Sequence, residues 1–140
     1  MKRFKSQRRG TNGRRGSTLI EATLALWTFA ILVGGILEMG FAGMVANTME
    51  FAVQRAARYA SVRGSSSSHP AQTADIQSVA QQYATPLIAA NLPVTVTWLP
   101  NNNPGSTVEV QASYSIKPAI LPLDSGKMTF QATAKQIILQ

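Results

Sequence analysis

The 140-residue sequence contains no cysteine and only one histidine, His69. Disulfides and thiolate metal sites are therefore excluded. His69 sits in a Ser/Pro stretch, 65–70, which leaves nothing from which to build a histidine-based triad or metal cluster. Carboxylates number six, and Asp75, Glu109 and Asp124 fall by pattern on a helix, a strand and a loop. There is no glycine-rich phosphate loop. Aromatic residues make up 7% of the chain, with no interleaving of basic and aromatic side chains of the kind that binds nucleic acid. These absences argue against an enzyme, a bound metal or cofactor, a small-molecule substrate and a nucleic-acid partner.

The formal charge of +7 needs mapping before it is interpreted. Seven of the thirteen basic residues (Lys2, Arg3, Lys5, Arg8, Arg9, Arg14 and Arg15) precede Ser17, and all six acidic residues follow it. Without residues 1–16 the chain would carry six basic and six acidic groups, a net of zero. A basic run directly ahead of a hydrophobic helix acts as a topology signal, because Lys and Arg stay on the cytoplasmic side. Residues 1–16 are otherwise polar, and disorder is expected there.

An apolar stretch follows. Across residues 19–46 the only ionisable groups are Glu21 and Glu38. As a helix this span would measure about 42 Å, enough to cross a hydrocarbon core of about 30 Å. Gly34, Gly35, Gly40 and Gly43 lie inside it, and two readings stand: local flexibility, or a face on which another helix packs. From Asn47 to Arg63 polar residues enter while Met49, Val53, Ala56, Ala57 and Ala60 keep helical spacing. The same helix is thus expected to emerge into water with one apolar stripe and to stop at Gly64, before a flexible linker over 64–72.

The spacing predicts a second helix from about Thr73, taken as its N-cap, with Ile76, Val79, Ala80 and Tyr83 on one face. Thr85-Pro86 restarts it, since proline suits the first helical position, and it ends near Asn91. Strands follow. Val94, Val96 and Trp98 alternate with threonines, and Asn101-Asn102-Asn103-Pro104-Gly105 makes a turn. Val108, Val110, Ala112, Tyr114 and Ile116 alternate with polar residues, and Trp98 and Tyr114 are read as core. A loop covers 118–126. The last strand, about 127–139, carries Met128, Phe130, Ala132 and Ala134 on one side, with a bulge or frayed end expected near Gln136. The expected fold class is α+β: a long N-terminal transmembrane helix extending beyond the membrane, then a domain over 73–140 in which a short helix packs on a three-stranded antiparallel sheet.

The junction Gly16-Ser17-Thr18-Leu19-Ile20-Glu21 places one carboxylate at the edge of the apolar helix. A charged group inside the bilayer costs about 2.5 kcal/mol or more, so Glu21 is a functional candidate. Glu38, seventeen residues on, is read either as a residue at the opposite bilayer boundary or as a contact for a partner's membrane helix, together with Gly34, Gly35 and Gly40.

Residues 14–63 resemble the TadE-like family, minor pilins or pseudopilins of the tight-adherence (Flp-type) pilus, with a type IV prepilin-like N-terminus. The likeness rests on the basic leader with its Gly16-Ser17 junction and Glu21, on Glu38-Met39-Gly40, and on Ala56-Ala57-Arg58-Tyr59-Ala60-Ser61-Val62-Arg63. Trp27 stands where proline commonly follows the glutamate, and Ala60 replaces a glycine. Thr18-Leu19-Ile20-Glu21 is nearer to general type IV pilins and type II secretion pseudopilins, which keeps that subclass open.

The resemblance implies that a prepilin peptidase cuts between Gly16 and Ser17. The chain would then be a single-pass protein of the bacterial inner membrane, with its C-terminal domain periplasmic. It would meet other pilin or pseudopilin subunits and an assembly platform, and Glu21 would neutralise the Ser17 amine of a neighbouring subunit. The rival from another class is an exported soluble binding module behind an ordinary signal peptide, since Gly40-Phe41-Ala42 satisfies the small-x-small rule.

Overall fold

The computed structural model describes residues 12–90, 92–118 and 126–140, with side chains from residue 16 onward. The expectations for residues 1–11, for the helix end at Asn91 and for most of the 118–126 loop lie outside the described residues. Helix α1 spans Asn12–Ser61 and is followed by α2 (Thr73–Tyr83), α3 (Pro86–Ala89), β1 (Val94–Leu99), β2 (Thr107–Ile116) and β3 (Met128–Ile137). The fold is α+β, as expected. Two compact units divide it at Leu37 and Glu38. The described part of the first is helix alone. The second holds the remainder of α1 and every other element.

The start of α1 differs from expectation. Residues 12–16, assigned to a disordered leader, already have helical backbone. Helix nucleation is costly and propagation is not. The long apolar segment supplies the nucleus, and Arg14 and Arg15, good helix formers, extend it backwards.

The sheet is an antiparallel meander in the order β1-β2-β3. Val94 faces Ala112, Val96 faces Val110 and Trp98 faces Val108 across the first pair. Val110 faces Ala134, Ala112 faces Ala132 and Tyr114 faces Phe130 across the second. Period-two alternation therefore collects one apolar face and leaves Thr95, Gln111, Ser113, Gln131 and Thr133 on the other. Gly105, at φ 86°, closes the β1–β2 turn in the left-handed region that a side chain disfavours.

The apolar face is covered by the C-terminal half of α1, α2 and α3. Val45, Met49, Ala52, Val53, Ala56, Ala57 and Ala60 join Ile76, Ala80, Ile88, Leu92, Val108, Val110, Ala112, Ala132, Ala134 and Ile138 in one buried cluster. Trp98, Tyr114 and Phe130 are half-buried against it, in line with their reading as core. Alanines of α1, α2 and the strands are buried there beside Met49, Ile76, Ile88, Leu92 and Ile138, the largest of the fully buried side chains. Each of these larger side chains contributes about 1.5–3 kcal/mol on burial.

Three further expectations need correction. The serine stretch is not a free linker: Ser65 N–H donates to Asn102 O at 2.8 Å, Ala71 N–H to Arg63 O at 2.8 Å, and Ser65 Oγ bonds Asn103 Oδ1 at 2.8 Å. No bulge or frayed end occurs near Gln136, because the β2–β3 register is continuous from Ile116↔Met128 to Thr107↔Ile137. Beyond it Ile138 N–H donates to Ser106 O and Leu139 N–H to Ser61 O, both at 2.8 Å, which ties the tail down. Gln136 keeps its register opposite Val108 but is exposed, lining a surface hollow beside Arg58, and Ile138 two residues on is buried again. Finally, α2 is capped at Gln72 rather than Thr73: the Asp75 carboxylate reaches back to accept from Gln72 N–H at 3.0 Å.

Candidate functional site

The candidate junction Gly16-Ser17 and the carboxylate of Glu21 lie on α1. Gly16, Ser17 and Glu21 are all exposed. Glu21 follows Ser17 at i+4, so the two project from the same helix face about one turn apart. A Cβ built on Gly16 would meet nothing within 4 Å. Among the described residues no packing demands glycine there.

Residues 16–37 form a helix about 33 Å long, close to the thickness of a hydrocarbon core. Its apolar side chains lie bare: Leu19, Ile20, Leu24, Leu26, Trp27, Phe29, Ile36 and Leu37 are each more than 60% exposed. In water such a surface would be strongly unfavourable, far beyond the patch size a soluble monomer tolerates. Two of its hydroxyls are satisfied locally, as suits a hydrocarbon environment: Thr23 Oγ1 donates to Leu19 O at 2.8 Å and Thr28 Oγ1 to Leu24 O at 2.9 Å. Among the described residues this is one helix, near the N-terminus, long and apolar enough to cross a membrane.

Gly34 is buried and Gly35 half-buried, and Glu38 is half-buried. Gly40 is exposed. A Cβ at Gly35, Gly40 or Gly43 would meet nothing within 4 Å, so space remains at these glycines for another helix. The structure thus places Gly16, Ser17 and Glu21 close together along one stretch of helix, whereas Gly34 and Gly35 belong to the first unit and Glu38 and Gly40 to the second.

One cluster was not singled out in the sequence. Phe51 and Tyr83 meet edge to face at 5.9 Å, and the Arg55 guanidinium lies 4.9 Å from the Phe51 centroid and 5.7 Å from that of Tyr83. Tyr83, expected on the buried face of α2, is 44% exposed and forms this stack instead. The signal available was Phe51 and Arg55 at i, i+4 spacing, which places them side by side on a helix. No group of three or more His, Cys, Asp or Glu residues could hold a metal among the described residues.

Comparisons with protein-family models, with curated proteins and with solved structures found no match for this chain.

Proposed function

We propose that the chain is a pilin-type structural subunit, TadE-like, held in the inner membrane by α1. It is cut after Gly16 by a prepilin peptidase and joined with other pilin or pseudopilin subunits at an assembly platform. The observation that carries this reading is Glu21 on a bare, membrane-length helix, one turn beyond the Gly16-Ser17 junction. Cleavage there creates an α-amine on Ser17. The amine and Glu21 are each costly in an apolar environment alone and offset one another when paired. Because α1 runs from the junction to Ser61, removal of the leader leaves anchor and folded domain on one chain.

The type II secretion pseudopilin is the nearest alternative, favoured by Thr18-Leu19-Ile20-Glu21. An ordinary signal peptide is disfavoured: a cut after Ala42 falls inside α1, at a residue only 7% exposed.

Glu21→Gln tests the pairing role. The substitution keeps size and hydrogen bonding but removes the charge, so membrane insertion and a Ser17 start should persist. Incorporation should fail, since an unpaired amine entering an apolar helix bundle costs about 3 kcal/mol, roughly a hundredfold in an equilibrium constant. Disulfide or photo-crosslinking to neighbouring subunits reads this directly. Assembly of Glu21→Gln at native levels would reduce Glu21 to an interfacial residue.

A further inference from the structure

The outward ridge of α1 in the folded unit is built unlike the rest of its surface. Phe51, Gln54, Arg55, Arg58 and Val62 recur at helical spacing and are all exposed. On one side α2 walls the ridge: Arg55, Arg58, Tyr59, Val62, Val79, Gln82 and Tyr83 enclose a hollow of about 390 Å³. On the other side, Phe51, Gln54, Arg55, Arg58 and Gln136 line a second hollow of about 320 Å³. A third, of about 380 Å³, continues past Arg58 to Val62, Ile137 and Leu139. Arg58 borders all three.

Two arginines in such a setting are conspicuously uncompensated. Among the described residues the ion pair formed is Lys135 with Glu109, and neither Arg55 nor Arg58 has a carboxylate within 4 Å. Arg55 is nevertheless held in place, stacked over Phe51 and Tyr83. A guanidinium fixed in this way has already lost much of its side-chain freedom, which lowers the cost of engaging a planar anion.

We propose that this surface is a docking site for an acidic, partly apolar segment of a partner protein, with Arg55 and Arg58 receiving its carboxylates. The chemistry of the walls favours a peptide. Gln54, Gln82 and Gln136 offer amides suited to a peptide backbone, while Phe51, Val62 and Leu139 offer apolar contact. From Phe51 to Val62 the ridge runs about 16 Å, the reach of some five extended residues. Two arginines match two carboxylates bidentately. A nucleic acid or a lipid headgroup layer would call for a denser field of cations. This inference stands whether or not the chain is processed at Gly16.

The test uses the full chain in neutral maltoside micelles and a fluorescent six-residue peptide alternating glutamate with leucine, with glutamine replacing glutamate in the control. Anisotropy should show the glutamate peptide binding at least tenfold more tightly than the control. Arg55→Gln with Arg58→Gln should erase that preference, and Arg63→Gln, whose guanidinium stacks on Tyr59 instead, should keep it. Equal binding of both peptides, no binding of either up to millimolar concentration, or equal loss in Arg63→Gln would each overturn the proposal. So would tighter, Arg55- and Arg58-dependent binding to phosphatidylglycerol nanodiscs than to the peptide, which would assign the surface to lipid.

Discussion

Gly64 must be glycine for a reason that a helix-stop pattern does not contain. Its φ is not in the left-handed region. Instead a Cβ there would run into Gln140 O and the Ile138 side chain, with Asn102 O at 3.2 Å. Gly64→Ala therefore has to displace the pinned C-terminal tail or the turn after β1. Overpacking of this kind costs about 1–3 kcal/mol, which urea unfolding followed by circular dichroism should register. A second residue-scale effect concerns Glu109. The Lys135 ammonium, 3.1 Å away, and then the Gln111 amide hold its carboxyl below the usual carboxylate range. A depressed folded pKa means that the pair's small contribution is present above the ordinary carboxylate pKa and fades as pH falls through the folded value. Lys135→Met should raise the Glu109 pKa in an NMR titration and flatten the acid limb of the stability profile. An unchanged Glu109 titration would show the contact to be idle in solution.

At the scale of elements, α1 changes its job along its length. Leu24 is 68% exposed, whereas Met49 is fully buried in the core cluster. Met49→Ala should cost about 2–5 kcal/mol in the domain's unfolding. Leu24→Ala should leave that transition unmoved, because it removes no contact within the folded unit. Both are read by the same denaturation in micelles. The division was legible in the sequence because periodicity reports burial: the stripe Met49, Val53, Ala56, Ala57, Ala60 and the alternation of β1 and β2 each describe one face of one element. Contacts between segments distant in sequence were not legible. The serine stretch is ordered by Asn102 and Asn103, some 38 residues away, and the end of β3 is held by Ser61 and Ser106. Neither tie leaves a mark on the composition of the segment it orders. The same blindness hid the Phe51–Arg55–Tyr83 stack, since Tyr83 comes from another helix. The helical placement of Gly16, Ser17 and Glu21, by contrast, was readable because these residues are neighbours in sequence and lie in one apolar helix.

For the molecule as a whole, charge and hydropathy divide in the same place. Residues 1–16 hold seven positive charges and no negative ones, and the remainder is balanced. The positive-inside rule then predicts a cytoplasmic N-terminus and an exported C-terminus. A reporter active only after export, fused after Gln140, should be active; activity of a cytoplasm-only reporter at the same position would reverse the orientation. The central claim is that the leader is removed and the helix retained. Intact-mass analysis of the protein extracted from native membranes decides it. The account predicts a chain beginning at Ser17 when a prepilin peptidase is present, and a full-length chain from Met1 when the peptidase is deleted or when Gly16 is replaced by valine. A chain that still begins at Met1 beside an active peptidase, or one that begins at Gly43, would contradict it.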